Sequence, residues 1–275
     1  MKEVEEVIDL LLYRPLAFLV VISVYNTKVK PDHLTLMAML MGITGGLFYS
    51  LGTSQSAITG AVCYLLFNIL DCSDGQLARI KKNGSSVGRL LDGIADYIAA
   101  IAVYSGIAFG YASMYDQPSL FFILTGMAGL SIIIQESLVD YYRTRFLDVV
   151  LQRQDTFNEG LEVYKKEYDK IKDQKGKWFS KTIVLIYLAY SQIQRFLAPK
   201  KKKISYISTT PDRYFKLNHI IIRLWVFMGP SAKITLLILC SLFCRFDIFF
   251  WIVIGGFNIL AVLLWLIQYR IDKLY

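Results

Sequence analysis

The apolar residues of this chain come in long blocks that are separated by short polar connectors. Six blocks are long enough to cross a bilayer as helices, since one span needs roughly 20 mostly apolar residues. They cover about residues 34–52, 57–80, 88–112, 118–140, 220–244 and 247–268. The pattern therefore predicts an all-α integral membrane protein with six transmembrane helices.

Two segments fall outside this pattern. Residues 1–30 open with charged side chains and continue in an apolar run, which does not fit a cleaved signal peptide and predicts an interfacial helix beside the bundle. Residues 148–181 are rich in Lys, Glu, Asp and Gln, and residues 148–210 as a whole are predicted to form a cytoplasmic or interfacial insertion between the fourth and fifth helices. A solvated connector with no catalytic part fits the same charges. The charged segment is not expected to form a second globular domain, so residues 1–275 are interpreted as a single membrane domain. No internal repeat is visible, so a transporter built from duplicated halves is not favoured.

Basic residues are unevenly distributed among the connectors. Connectors 52–56 and 112–118 contain no Lys or Arg, whereas 79–89 contains four and 143–203 is strongly basic. Short cytoplasmic loops collect Lys and Arg, so both termini and the 79–89 connector are predicted to be cytoplasmic. The formal charge of +8 then suits the anionic surface of a lipid bilayer. No motif that reads nucleic acid is present, so a nucleic-acid partner is not expected.

Acidic residues interrupt the second and third apolar blocks. In the second block, Asp71, Asp74, Gly75 and Ala78 fall at i, i+3, i+4 and i+7, so they share one side of a helix. Ionisable groups within membrane spans are costly and usually functional. The glycine and alanine leave room for a ligand close to the backbone. This side of the helix therefore combines charge with open space.

The third block repeats this arrangement. Gly88, Asp92 and Asp96 step by four along one side of the helix. A turn within 82–86 makes the two helices antiparallel. Counting outward from that turn places Asp71 level with Asp96, so the four acids should converge at one depth, roughly 12 Å inside the cytoplasmic ends.

Four converging carboxylates would repel one another strongly unless protons or cations compensate their charge. Hard oxygen ligands without His or Cys favour Mg²⁺, Mn²⁺ or Ca²⁺ over zinc. Two such ions would form a pocket for a pyrophosphate, where a carboxylate free of metal could accept a proton from an attacking hydroxyl. Arg79 could bind a phosphate oxygen. Caps or buried ion pairs are the structural alternative, but the helix interiors lack the basic partners this requires.

These residues carry a family resemblance. The run from Asp71 to Asp96 resembles the CDP-alcohol phosphotransferase (CDP-alcohol phosphatidyltransferase) signature D-x2-D-G-x2-A-R-x8-G-x3-D-x3-D at every specified position. Upstream, Pro31-Asp32-His33-Leu34-Thr35 is similar to the Pro-Asn/Asp-x-x-Thr entry to the first span of that family. The resemblance covers about residues 31–112, and the six-span layout agrees with it.

The resemblance implies a role for each matching residue. The metal ligands would be Asp71, Asp74, Asp92 and Asp96, binding Mg²⁺ or Mn²⁺ as two ions, and Asp96 would also accept the proton. A CDP-activated donor would be bound by Asp32, His33, Leu34, Thr35, Gly75, Ala78, Arg79, Ser85 and Gly88. The active site would face the cytoplasm. A homodimer is one assembly compatible with the sequence.

Two arginines are candidates for binding the acceptor. Arg143 follows the fourth span and Arg223 lies near the start of the fifth. Similarly placed basic residues serve inositol-phosphate-using members of the family, so the resemblance implies contact with a phosphorylated acceptor. The alternative is that both are ordinary cytoplasmic flanks of membrane helices.

Three functions fit these features. The favoured one is transfer of a phosphatidyl group from CDP-diacylglycerol to a polar alcohol in phospholipid biosynthesis, with release of CMP. A second keeps the chemistry but uses CDP-choline or CDP-ethanolamine as donor and a lipid alcohol as acceptor. The chain is short for that group, whose familiar eukaryotic members carry additional spans. A cation transporter is the third, but the outer halves of the spans offer almost no polar path.

Overall fold

The computed structural model describes residues 2–82, 86–112, 118–152 and 211–273, together with seven isolated positions between 168 and 188. Throughout these residues the regular elements are helices, and no strand occurs among them. The predicted all-α class is therefore confirmed. The predicted insertion at 148–210 lies almost entirely outside the described residues, so its role stays a prediction.

Proline residues begin several of the helices, as expected for the first helical position, where the missing N–H has no helical partner. Within the described ranges the α-helices are α1 Arg14–Tyr25, α2 Pro31–Ser50, α3 Ser54–Lys81, α4 Ser86–Tyr111, α5 Pro118–Val150, α6 Pro211–Phe227, α7 Pro230–Leu242, α8 Phe246–Phe250 and α9 Asn258–Asp272. Short π-helical turns, Asp9–Tyr13 and Trp251–Phe257, precede α1 and α9.

The described helices include six stretches long and apolar enough to cross a membrane. They are Pro31–Ser50, Ser54–Lys81, Leu91–Tyr111, Pro118–Val150, Pro211–Leu242 and Phe246–Asp272. The prediction of a multi-pass membrane protein with six spans is confirmed. Two details differ from the predicted boundaries. The fourth helix continues to Val150 because Tyr142, Phe146 and Val149 keep one side of it buried, and the fifth span is interrupted at Met228 and Gly229, before Pro230.

The packing of the chain divides into two compact units. We call Glu6–Ile132 with Pro230–Phe257 the motif unit, because it contains the aspartate motif. The second unit comprises Met1–Glu5, Ile133–Gly229 and Asn258–Tyr275.

In the motif unit, α2 packs against both α3 and α4. Glycines allow the backbones of α2 and α4 to touch: a Cβ added to Gly46 would lie 2.4 Å from the Ala102 carbonyl oxygen, and one added to Gly106 would lie 2.0 Å from the Gly46 oxygen. Small residues of this kind permit close packing of membrane helices. The contact holds α2 directly against the helix that carries Asp92 and Asp96.

The N-terminal helix α1 packs along α3. Tyr13, at the end of the preceding π-helical turn, and Ala17 and Val21 in α1 are fully buried and recur every four residues, so they lie on one side of this helical segment. Phe18 and Leu19 on other sides are at least half exposed, as expected for contact with lipid. The predicted helix beside the bundle is therefore present, and its position in the membrane interface stays a prediction.

The second unit contains a polar network that is partly to fully buried. Arg145 forms an ion pair of 2.6 Å with Asp272, and the Gln268 amide donates to Asn218 Oδ1 at 2.8 Å. Buried polar groups need partners, especially within a membrane. These contacts connect α5, α6 and α9. In this network the charge of Arg145 is compensated by the carboxylate of Asp272.

Candidate active site

Three carboxylates of the motif come together between α3 and α4. Asp71, Asp74 and Asp92 each offer an oxygen atom, and these atoms all lie within 4.8 Å of one another. Asp74 is buried, while Asp71 and Asp92 are partly exposed. The i, i+3 spacing on α3 places the first two on one side of the helix, and α4 brings the third alongside.

Asp96 lies one turn beyond Asp92 on α4 and is not a member of this group of three. Its side chain is exposed, and it is close enough to Asp71 to interact with it electrostatically. An exposed carboxylate beside a compact group of three is accessible to a substrate. The geometry thus separates one acid from the other three, a distinction that the even spacing in the sequence does not make.

The group of three is suited to a divalent cation. Among the described residues, no Lys or Arg forms an ion pair with Asp71, Asp74 or Asp92. Three carboxylates this close repel one another, and a hard cation with oxygen ligands compensates that repulsion. The donor set therefore fits a divalent metal ion, and its oxygen-only composition favours Mg²⁺ or Mn²⁺ over softer metals.

The first turn of α2 reaches the aspartates through Thr35. Its hydroxyl donates to Asp74 Oδ2, and it also lies 3.3 Å from the Pro31 carbonyl oxygen. Asp32 and His33, which precede it, are exposed. Leu34 is instead buried in a cluster with Val21 and Leu77, so its side chain supports the packing of α2 on α3. The turn therefore combines two accessible polar residues with two that hold it in place.

The small residues of α3 lie beside the carboxylates. Gly75 and Ala78 are partly exposed, and Arg79 is exposed. A Cβ added to Gly75 would lie 3.5 Å from Arg79 Nη1, so the guanidinium passes over the glycine. An exposed Arg next to open backbone is a suitable arrangement for binding phosphate oxygens. Ser85 lies outside the described residues, and Gly88 lies in α4 within a stretch whose side chains are not described.

The intervening motif positions face α1 and the π-helical turn that precedes it. Cys72 Sγ lies 3.3 Å from Asp9 Oδ1, Ser73 Oγ lies 3.3 Å from the Ala17 carbonyl oxygen, and Gln76 Nε2 donates to the Arg14 carbonyl at 3.1 Å. Sequence analysis missed this second polar side of α3. A helical projection would have shown that these residues are polar and point away from the aspartates, but nothing in the sequence pairs them with α1.

The two candidate acceptor arginines belong to the second unit. Arg143 is partly exposed on α5, and Arg223 is exposed on α6, where its guanidinium lies 3.7 Å from Glu3 Oε1. A pair at this distance and exposure contributes little to stability, so Arg223 can exchange Glu3 for another anion. Among the described residues, neither arginine has an ion-pair partner as close as the Asp272 carboxylate is to Arg145.

Comparison with known proteins gives two kinds of match. A family model described as CDP-alcohol phosphatidyltransferase matches residues 28–198. A phosphatidylinositol phosphate synthase from Corynebacterium glutamicum is 30% identical over 118 residues, which are 43% of this chain and 51% of that protein. A protein of the same name from Mycolicibacterium smegmatis is 29% identical over 115 residues, or 42% of this chain and 49% of that protein.

The match spans about half the length of each relative, whereas the family model covers more than half of this chain. The matched region includes α2, α3, α4 and α5, and therefore the complete aspartate motif and Thr35. The motif, the convergence of its carboxylates and the family match agree. This chain belongs to the CDP-alcohol phosphatidyltransferase family.

Proposed function

We propose that this protein transfers a phosphatidyl group from CDP-diacylglycerol to a polar alcohol and releases CMP, a step of phospholipid biosynthesis. The observation that supports it most directly is the convergence of Asp71, Asp74 and Asp92 beside the open backbone of Gly75. Such a site suits a pyrophosphate, whose negative charge requires compensation by cations and an arginine.

The metal ions in this proposal are Mg²⁺ or Mn²⁺, held as a pair by Asp71, Asp74, Asp92 and Asp96. When bound, they would polarise the phosphorus under attack and neutralise the charge of the departing phosphate. Arg79 would bind the donor phosphates, and Gly75 and Ala78 would let the nucleotide approach the backbone. Asp32, His33 and Thr35 would close over the cytidine, with Thr35 also holding Asp74 in place.

Asp96 is the proton acceptor in this proposal. The acceptor hydroxyl gives its proton to the Asp96 carboxylate while its oxygen forms a bond to the lipid-bearing phosphorus. The bond from that phosphorus to the CMP oxygen breaks, and CMP leaves with the electron pair. The exposure of Asp96 supports this role, since a proton acceptor must reach the substrate.

The basic connector between α3 and α4 supports a site that opens toward the cytoplasm. Arg79, Lys81 and Lys82 end α3, and short cytoplasmic connectors collect such residues. The cytoplasm is also where a soluble polar acceptor would be met. A homodimer is one assembly compatible with this proposal.

The direct test is a substrate panel. Purified protein in detergent is incubated with Mg²⁺ or Mn²⁺, radiolabelled CDP-diacylglycerol or CDP-choline, and a set of acceptors, and CMP release is measured. CMP formed only from CDP-diacylglycerol and a polar alcohol supports the proposal. CMP formed from CDP-choline and diacylglycerol would replace it with the alternative reaction, and absence of CMP from every combination would contradict a transferase.

The names of the two relatives make inositol phosphate the first acceptor to test. Changing Arg143 or Arg223 to Ala is expected to lower affinity for a phosphorylated acceptor about tenfold, because a charge-assisted contact is lost. Donor affinity should hardly change, since the donor residues lie in the motif unit. Acceptor KM and CDP binding are measured for each variant.

Arg213→Ala provides the matched control for these arginines, because Arg213 is an exposed arginine on the same helix as Arg223. Its acceptor KM should equal that of the parent. An unchanged acceptor KM in both the Arg143 and Arg223 variants would identify these residues as anchors at the membrane surface, and an unphosphorylated alcohol would become the better acceptor candidate.

Gly75→Leu is expected to weaken CDP-donor binding by tenfold or more, roughly the effect of an overpacked contact. Even a single Cβ at this position would lie in contact distance of Arg79, and a leucine would fill the space proposed for the nucleotide. Gly126→Leu is the control, since a Cβ on Gly126 meets nothing within 4 Å. Equal CDP affinity in Gly75→Leu and the parent would show that this side of α3 does not face the donor.

A further inference from the structure

Lys81, at the end of α3, binds two backbone carbonyl groups. Its ammonium nitrogen lies 3.0 Å from the Thr27 oxygen and 2.9 Å from the Val29 oxygen. Both belong to the α1–α2 turn, residues 26–30, which connects the N-terminal helix with α2. A lysine at the cytoplasmic end of a span would ordinarily be attributed to membrane topology, but here its charge is directed at a specific segment of the chain.

The α1–α2 turn has few other ties to α3. Its own hydrogen bonds are local, since the Thr27 amide donates to the Val24 carbonyl and the Val29 amide donates to Thr27 Oγ1. These bonds shape the turn without fixing its distance from α3. Val29 is partly buried against the Val21, Leu34 and Leu77 cluster. Lys81 therefore supplies two polar contacts between this turn and the motif helix.

Lys81 is the last of three contacts that follow one side of α3. Asp74 accepts a hydrogen bond from Thr35, Leu77 packs against Leu34, and Lys81 binds the carbonyl groups before Pro31. Positions 74, 77 and 81 are spaced i, i+3 and i+7, so they share one side of the helix. Together they hold the start of α2 against the motif helix over two turns.

We propose that Lys81 is a positioning residue: it holds the α1–α2 turn so that Asp32 and His33 are presented to the donor before the donor binds. This inference rests on the proposed function, in which those two residues contact the nucleotide. When the turn is already ordered, the protein binds the donor more tightly. The reason is that the apparent affinity decreases when a smaller fraction of the protein is in the competent arrangement. Loss of Lys81 should therefore raise the donor KM and leave kcat largely unchanged.

The test combines hydrogen exchange with kinetics. In detergent without substrate, Lys81→Met is expected to speed amide exchange within residues 27–33 by roughly tenfold, as a local opening. It should raise the donor KM by the factor by which the ordered fraction of the turn falls, up to about tenfold, with little change in kcat or acceptor KM. Lys81→Arg, which keeps a charged donor group, should restore both values substantially.

Lys82→Met is the matched control, since Lys82 is exposed, follows directly in the chain and loses the same charge. The amide exchange and the donor KM of Lys82→Met should both match those of the parent. This result would exclude a general electrostatic effect on an anionic donor. Unchanged exchange in Lys81→Met would overturn the proposal, as would faster exchange with an unchanged donor KM. If the parent releases no CMP from any donor, the proposed function fails, whereas the exchange comparison needs no substrate and still decides whether Lys81 holds the turn.

Discussion

Replacing Asp96 with Asn is expected to lower turnover by about 10²-fold to 10⁴-fold while the protein still folds and binds the CDP donor. The amide keeps the shape of the side chain but removes the charge that accepts a proton. Asp96 is exposed and is not a member of the compact group formed by Asp71, Asp74 and Asp92. The loss should therefore appear in kcat for CMP release, with donor affinity nearly unchanged.

Asp212→Asn is a suitable control for this substitution, because Asp212 is an exposed aspartate in the first turn of α6. It should release CMP at the rate of the parent. CMP release by Asp96→Asn at a rate close to that of the parent would remove Asp96 from the role of proton acceptor. A large loss of donor or metal affinity, with kcat retained, would leave Asp96 with the binding role alone.

Asp71→Asn is expected to remove most of the stabilisation that metal binding gives the parent protein. Without metal, the variant should unfold at the same temperature as the parent or higher, because one of three mutually repelling carboxylates becomes neutral. The parent should gain about 2.7 kcal/mol when Mg²⁺ is present at 100 times its Kd, whereas most of this gain should vanish in the variant. The cation concentration that gives half-maximal activity should rise on the order of a hundredfold, as a charged ligand is lost.

Thermal unfolding of both proteins with a chelator and across a Mg²⁺ titration measures this effect. Asp169→Asn serves as a control outside the motif, since Asp169 pairs at the surface with Lys172 and should respond to Mg²⁺ like the parent. An equal Mg²⁺-dependent rise in unfolding temperature in Asp71→Asn and the parent would contradict metal binding by Asp71. A variant less stable than the parent in chelator would show that Asp71 contributes a structural contact instead.

Much of the architecture was predictable because membrane spans depend on the local amino-acid composition. A helix surrounded by lipid needs a continuous apolar run, so the six spans follow from composition alone, and their presence is confirmed. The i, i+3 spacing of Asp71 and Asp74 likewise predicts their shared side of α3. The family could be recognised from these same residues, because they form a long motif with fixed gaps, and the family match includes them.

Helix boundaries were less predictable, because they depend on packing as well as on hydrophobicity. The polar residues after Asp140 suggest the end of a span, yet α5 continues to Val150 with Tyr142, Phe146 and Val149 buried. Arg145 shows the reason, since its charge is compensated by Asp272 of α9, which is 127 residues away in the chain. A hydropathy pattern contains no information about such a partner.

The sequence alone therefore determined the class of the protein, its six spans and the acids that line its candidate site. The tertiary structure decided which of these residues act together: Asp71, Asp74 and Asp92 form a compact group, while Asp96 is exposed beside it. It also decided that Thr35 holds Asp74 and that Lys81 holds the α1–α2 turn. The periodicity of the sequence shows which side of its own helix a residue occupies. Contacts between helices distant in sequence depend on how those helices pack, and the pattern within each helix does not determine that packing.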